Sequence, residues 1–236
     1  MAGMQALGID GCCAGWLYVS KDLDTGALRG GILRQIGDLL AFDPREVVVG
    51  IDIPIGLPDS GARACELQAR RLLGRPRASS IFPVPVRQVL FARSRLLACS
   101  MSQKIDGRRI NHQTWNIIPK IREVDRFLRV HPAYRARIHE VHPELSFQRW
   151  NGGLAMEHSK KTAQGRSERQ RLVDSLFGES CDAARAGVPR GGWALDDYLD
   201  ACAVLWTACR IACSVAVTIP EKPRRDGLGL QMRITT

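Results

Sequence analysis

A carboxylate stands inside the most apolar segment of the sequence. Residues 46–58 read EVVVGIDIPIGLP, and their valines and isoleucines are typical of a central parallel strand. Asp52 interrupts this run. An ionised carboxylate is costly to bury unless it is paired or binds a metal ion, so we interpret Asp52 as a metal ligand.

Further acidic residues stand where other predicted elements end or begin. Asp10 closes the first strand, Glu144 follows the fifth, and Asp197 and Asp200 share one face of the last helix. Converging carboxylates repel one another unless a cation neutralises them, and their hard oxygens select Mg²⁺ or Mn²⁺. Two such ions can support phosphodiester hydrolysis. We predict metal ligation by Asp10, Asp52 and Asp200, with Glu144 and Asp197 completing the catalytic set.

Most of these acids also have a structural interpretation when each is taken alone. Asp10 precedes a glycine and suits a turn, and Glu144 suits a solvated position after a proline. Asp196 and Asp197 suit a helix N-terminus, where carboxylates accept backbone hydrogen bonds and complement the helix dipole. The burial of Asp52 is hard to explain in this way, so the set as a whole favours a metal site.

A basic segment, SKKTAQGR, precedes the last helices. Its Lys160, Lys161 and Arg166 are predicted to bind a substrate phosphate, to which Arg169 could also contribute, although a solvated loop is an equal alternative. The motif HEVHPE differs from the metalloprotease pattern H-E-x-x-H because His139 and His142 are only three apart. None of the 8 cysteines forms a C-x-x-C pair, so a zinc site is not indicated.

The elements that must position these residues form an α/β domain. Apolar runs predict a meander of three strands and then a crossover into the Asp52 strand, parallel to the first. Parallel neighbours would place Asp10 beside Asp52. The segment ARIHEVHPELSF predicts a fifth strand, and ALDDYLDACAVLWTACRIAC predicts the last helix. We interpret residues 1–236 as one domain.

A helical insertion is expected at about residues 79–134, after the fourth strand. Within it, HQTWNIIPKIREVDRFLRV predicts a helix whose apolar stripe contains Ile121 and Val124. An earlier helix is predicted over ARACELQARRLLG, with Asp59 or Ser60 as its N-cap.

Composition limits the classes of function. Hydrophobic residues make up 45% of the 236-residue chain and charged residues 25%, which is typical of a globular protein. Neither a signal peptide nor a membrane span is predicted, so we expect a cytoplasmic protein that does not enter the membrane. The net charge of +10 favours nucleic acid as a partner, although a basic surface that serves solubility is an equal alternative. Aromatic residues make up only 6%, which predicts no obvious platform for stacking single strands.

Six motifs resemble, in order and over nearly the whole chain, those of an uncharacterised bacterial and archaeal family of predicted RNase-H-like nucleases, domain of unknown function number 429. They are GIDGCCAGW, GIDIPIGLPDSG, FPVPVR, VHPELSF, SKKTAQGRSER and DDYLDACAVLWTA. The resemblance implies an RNase H-like fold, with a mixed five-stranded sheet in the order 3-2-1-4-5 flanked by helices. It also implies that the protein cuts nucleic acid, an activity that the family is itself only predicted to have.

The last helix is also similar to that of Holliday-junction resolvases, in which a D-x-x-D pair completes the catalytic site. The resemblance assigns Asp10 to the first-strand acid, Asp52 to the fourth-strand acid, and Asp197 with Asp200 to the helix pair. The chain departs from the expected pattern in two places. A cysteine pair follows the first glycine, and Asp52 stands where resolvases usually have the longer Glu.

The leading hypothesis is metal-dependent hydrolysis of phosphodiester bonds in DNA or RNA. One alternative is phosphoryl transfer to a small molecule, since sugar kinases and actin-like ATPases share this strand order, but the sequence has only one GIDG motif. Another is a non-catalytic module that binds nucleic acid or protein, in which the acids hold no divalent ion tightly. The sequence leaves the substrate and the oligomeric state open, a homodimer included.

Overall fold

The computed structural model describes residues 3–236. The strands are β1 (Gln5–Cys12), β2 (Gly15–Asp22), β3 (Leu28–Leu33), β4 (Val47–Ile51), β5 (Ile138–Glu140), β6 (Thr218–Arg225) and β7 (Gln231–Thr235). The α-helices are α1 (Ala64–Leu73), α2 (Arg95–Asp106), α3 (His112–Val130), α4 (Pro143–Trp150), α5 (Ala163–Ala186) and α6 (Leu195–Ala212). No helix within the described residues is long and apolar enough to cross a membrane.

The chain divides into two compact units. Unit 1 comprises the described chain up to Ile53, Ala133–Val217 and Thr235–Thr236. Unit 2 comprises Pro54–Pro132 and Thr218–Ile234. The stretch expected to form a helical insertion contributes α2 and α3 to unit 2.

Unit 1 is built on a mixed five-stranded sheet in the order β3-β2-β1-β4-β5. β1, β2 and β3 pair antiparallel as a meander, whereas β4 runs parallel to β1, and β5 runs parallel to β4. The α/β class and the strand order expected from the sequence are therefore confirmed. All five residues of β4, VVVGI, are buried, which explains why this strand lacks the alternating polar positions of a surface strand.

Helix α6 lies directly on β1. A Cβ atom at Gly8 would stand 2.1 Å from the Leu205 backbone nitrogen and 2.2 Å from the Ala201 carbonyl oxygen. Only a residue without a side chain allows the helix backbone to approach the strand this closely. The residue type at position 8 therefore sets the spacing between α6 and β1.

The strand expected over ARIHEVHPELSF is wrong in its second half. Strand β5 ends at Glu140, and helix α4 begins at Pro143. Proline is favoured in the first turn of a helix because its missing N–H has no partner there in any case. Glu144 therefore stands in the first turn of a helix rather than near the end of a strand.

Unit 2 combines α1, α2 and α3 with the two-stranded sheet β6-β7. Helix α3 spans the residues predicted for it, and Ile121 and Val124 are fully buried as expected. The predicted cap of α1 is wrong: Arg63 is the N-cap residue and makes no side-chain capping bond. Its guanidinium instead forms a buried ion pair with Glu66.

Candidate carboxylate site

Parallel pairing places Asp10 and Asp52 side by side in unit 1. The pairing of β1 with β4 ends at Ile9 opposite Ile51, and each acid is the next residue of its chain. The Asp52 backbone N–H donates a hydrogen bond of 2.9 Å to the Ile9 carbonyl, which extends the register by one step. Asp10 is 8% exposed, and Asp52 is partly buried. The predicted juxtaposition of these two acids is confirmed.

Helix α6 supplies the acid that completes the group. Asp200 is 1% exposed. The next residue, Ala201, is the one whose carbonyl oxygen packs against Gly8 of β1. Asp197, predicted to act with it, has a different bonding pattern. Its carboxylate accepts a 2.8 Å hydrogen bond from the Ala194 backbone N–H and so caps the helix N-terminus.

Glu144 reaches the same group from the first turn of α4. The stacked indoles of Trp150 and Trp206, 5.4 Å apart, hold α4 against α6, and the hydroxyls of Ser146 and Thr207 lie 2.8 Å apart. These contacts keep the buried Glu144 carboxylate on the side of α6 that carries the acids.

A buried arginine holds one oxygen of Glu144. The Arg169 Nη2 atom donates to Glu144 Oε1 at 2.5 Å, while its Nη1 atom donates to the carbonyls of His158 and Gly165. The other carboxylate oxygen, Glu144 Oε2, is buried and finds no hydrogen-bond donor within residues 3–236. A buried polar atom without a partner is unusual and requires an explanation.

Lys160 lies among the acids. Its ammonium donates a hydrogen bond to the Asp200 carboxylate and also interacts electrostatically with Asp10 and Asp52. Burial alone would lower the pKa of Lys160, but the three carboxylates raise it well above its usual value. The lysine therefore stays charged and neutralises part of the cluster.

The carboxyl groups hold their protons more tightly than usual. Burial, followed by repulsion from Asp52 and Asp200, raises the pKa of Asp10 well above its usual range. Burial also raises the pKa of Asp52 and of Asp200 to about 6 each, with Lys160 opposing the shift and Glu144 adding to it. The main cost of ionising these groups is therefore their burial, and Lys160 offsets part of it.

The residues predicted to bind phosphate have partners inside the protein. Lys160 is paired with Asp200, and the largely exposed ammonium of Lys161 is paired with Asp196. Arg166 donates at 3.1 Å to the Lys161 carbonyl. Phosphate binding by these three residues stays a prediction.

Arg169 has a buried acidic partner, Glu144, that the sequence did not indicate. It looked like one more basic residue of the SKKTAQGRSER segment, yet its side chain is 1% exposed. The sequence did contain one signal of this pairing. Several acids were expected to be buried, and buried acids need buried cations as partners. Lys160 was predicted to bind phosphate, whereas in the structure its ammonium contacts the acid cluster.

The donor chemistry fits a hard divalent cation. Within residues 3–236, no three His, Cys, Asp or Glu side chains are arranged to hold a metal ion, and the Lys160 ammonium lies among the carboxylates. Two observations nevertheless match a cation site: the buried oxygen of Glu144 has no donor, and burial, with repulsion between neighbouring acids added to it, raises the pKa values of Asp10, Asp52 and Asp200. Oxygen donors of this kind suit Mg²⁺ or Mn²⁺.

Comparison with known proteins gives one match. No curated protein and no solved structure matches the chain. A family model matches residues 8–225, a span that contains every acid of the cluster. The chain therefore belongs to the family described as protein of unknown function (DUF429).

Proposed function

We propose that the protein is a metal-dependent hydrolase that cuts phosphodiester bonds of nucleic acid at the carboxylate cluster. The observation that carries this proposal is the convergence of Asp10, Asp52, Asp200 and Glu144, all buried or partly buried, around a single ammonium. Carboxylates that repel one another in the absence of metal are stabilised by a divalent ion, so this repulsion favours metal binding.

Three carboxylates would hold the metal: Asp10, Asp52 and Asp200. Glu144 Oε2 supports them, because it is buried without a donor near the same residues. The chemistry supplied by bound divalent ions is activation of a water nucleophile and stabilisation of the leaving oxygen.

The remaining residues of the cluster orient these groups and control charge. Arg169 fixes the orientation of the Glu144 carboxylate by donating a hydrogen bond to Oε1, and Oε2 keeps no hydrogen-bond donor among the described residues. Lys160 compensates the acids when no metal is present. With pKa values of about 6, Asp52 and Asp200 can hold or release a proton close to neutral pH.

The proposal of nucleic acid as the substrate rests on charge. The net charge of +10 would attract a polyanion over long distances and would favour binding of its phosphates. A binding module without catalysis is the second candidate, since the Lys160–Asp200 pair already neutralises part of the cluster without metal.

Hydrolysis of labelled DNA and RNA with Mn²⁺ tests the proposal. We expect cleavage by the wild type, none with EDTA, and none by Asp10→Asn, which removes one ligand charge while keeping the side-chain shape. Asp43→Asn is the matched control, because Asp43 is an acid of unit 1 paired at the surface with Arg45, and it should stay active. Equal cleavage by Asp10→Asn and the wild type would exclude the cluster as the catalytic site.

A further inference from the structure

The net positive charge of the chain comes from unit 2 alone. Unit 2 carries 19 Lys and Arg side chains against 7 Asp and Glu, a net charge of +12. Unit 1 carries 15 against 17, a net charge of −2. A polyanion is therefore attracted by unit 2, and the surface of this unit is the place to look for its contacts.

Unit 2 contains a groove of about 460 Å³ with aromatic and arginine side chains in its walls. The residues that matter for its chemistry are Phe91 and Arg93 on one wall and Trp115, Pro119 and Arg122 on the other. The second wall belongs to α3, where spacings of three and four residues put these side chains on one face of the helix.

A hydrogen bond joins the two sides of the groove, and an exposed aromatic ring stands at its edge. The Arg122 Nε atom donates a 2.9 Å hydrogen bond to the Leu90 carbonyl and so ties α3 to the turn that carries Phe91. The side chain of Phe91 is 74% exposed, although it is among the most apolar in the protein. Phe91 and the half-buried indole of Trp115 both line the groove, so apolar ring surface is open to a ligand there.

We propose that this groove binds single-stranded nucleic acid, with bases stacked on Phe91 and Trp115 and phosphates held by Arg93 and Arg122. The charge of unit 2 selects a polyanion, and the exposed ring selects a ligand with flat apolar faces. Unpaired bases offer such faces, whereas bases inside a duplex are already stacked. The inference rests on the proposed function and deepens it by naming the form of the substrate.

The low aromatic content of the sequence predicted no obvious stacking platform. Two aromatic residues suffice for one, because stacking depends on where rings are exposed rather than on how many the chain contains. Phe91 and Trp115 are 24 positions apart in the sequence, so no local motif reveals that they line one groove.

Fluorescence anisotropy of a labelled oligothymidylate and a labelled oligouridylate, measured on the full chain with EDTA, tests the proposal. We expect Phe91→Ala to bind both strands roughly tenfold more weakly, which is the loss of about one stacked base. Phe91→Trp should bind as the wild type does, because an indole also stacks. Leu154→Ala, at a 70% exposed apolar position of unit 1, is the matched control and should leave binding unchanged.

Equal affinity of wild type and Phe91→Ala for both strands would overturn the inference. If the oligomeric state of Phe91→Ala also changed, that result would identify the groove as a contact between copies of the chain. Since EDTA removes any metal, these outcomes are independent of the cleavage result for Asp10→Asn, and either proposal can fail alone.

Discussion

The ammonium of Lys160 donates a hydrogen bond to the carboxylate of Asp200. The lysine reaches this acid from the polar segment before α5 and keeps 36% of its side chain exposed, whereas the carboxylate is almost fully buried. In this way the protein offsets the cost of gathering several acids without metal. A divalent ion binding to the same carboxylates must therefore compete with the ammonium of Lys160.

Replacing Lys160 by methionine should tighten the binding of Mn²⁺. Removal of a unit positive charge next to the ligands takes away several kcal/mol of repulsion at most, so we expect affinity to rise about tenfold or more. The metal-free variant should lose about 1–3 kcal/mol of unfolding free energy, because its acids lose their compensating charge and Lys160 is only partly buried. Calorimetric titration and thermal melting measure the two effects.

The adjacent lysine provides the control for this experiment. Lys161 pairs with Asp196 at the surface, with 73% of its side chain exposed, so Lys161→Met should change Mn²⁺ affinity little. If both variants bind Mn²⁺ as the wild type does, Lys160 does not compete with the metal. If neither the wild type nor the two variants bind Mn²⁺, the proposal of a metal site is wrong.

The Asp52→Asn variant should be at least as stable as the wild type without metal at pH 8. The pKa of Asp52 is raised from 3.8 to about 6, so the folded protein binds more protons than the unfolded chain between these values. Its contribution to stability is therefore present at low pH and is lost as pH rises through about 6. Relative to Asp52→Asn, the wild type should lose about 1–3 kcal/mol between about pH 4 and pH 8.

Mn²⁺ provides the second half of this test. At a metal concentration one hundred times Kd, the wild type should gain about 2.7 kcal/mol of stability. Asp52→Asn should lose this gain together with any cleavage activity. Melting curves of both proteins with and without Mn²⁺ measure the difference, and equal metal-induced shifts would show that Asp52 is not a ligand.

The strands that carry the acids were easier to predict than the ion pairs that the acids form. The apolar runs around Asp10 and Asp52 indicated two strands, and parallel pairing of those strands is enough to bring the acids together. Proline in VHPELSF was interpreted as part of a strand, so the helical position of Glu144 was missed. The partners of Lys160 and Arg169 depend on tertiary contacts across α4, α5 and α6, which no local spacing reveals.

Arg169→Met should destabilise the protein strongly. Its side chain is 1% exposed and pairs with the buried Glu144, and removal of one partner from such a pair costs about 3–5 kcal/mol because a buried charge remains uncompensated. Chemical denaturation measures the loss. Arg171→Met, at an exposed position on the same helix, should change stability by about 0.5 kcal/mol or less.

A double variant separates this pairing from general packing loss. In Glu144→Gln/Arg169→Met neither charge remains, so its loss should be smaller than the sum of the two single losses. Additive losses would mean that the two residues stabilise the protein independently and that Arg169 does not hold Glu144.

Nucleic-acid affinity should fall steeply as salt rises. Contacts to about six phosphates would lower affinity roughly a thousandfold between about 50 mM and 200 mM salt. Arg93→Gln should reduce the slope of this dependence by about one phosphate contact. Arg45→Gln is the control, since Arg45 is paired with Asp43 in unit 1 and should leave the slope unchanged. A flat salt response of the wild type would remove charge as an argument for nucleic acid.

The close contact between the backbones of α6 and β1 at Gly8 gives the last prediction. Gly8 and Asp10 lie two positions apart on β1 and so point to the same face of the sheet, toward α6. In Gly8→Ala, the new Cβ atom would meet the Leu205 nitrogen at 2.1 Å and the Ala201 carbonyl oxygen at 2.2 Å. Both atoms belong to helix backbone that cannot rotate away, so α6 must move off the strand.

That movement would carry Asp200 away from Asp10. We expect Gly8→Ala to lose about 1–3 kcal/mol of unfolding free energy through overpacking, and to lose the stabilisation by Mn²⁺ because the ligands no longer meet. Gly37→Ala is the matched control, since the nearest atom to its Cβ would lie 3.8 Å away and both properties should be kept. Melting with and without Mn²⁺ checks both variants. A Gly8→Ala protein that keeps the wild-type metal shift would mean that contact between α6 and β1 does not set the spacing of the carboxylates.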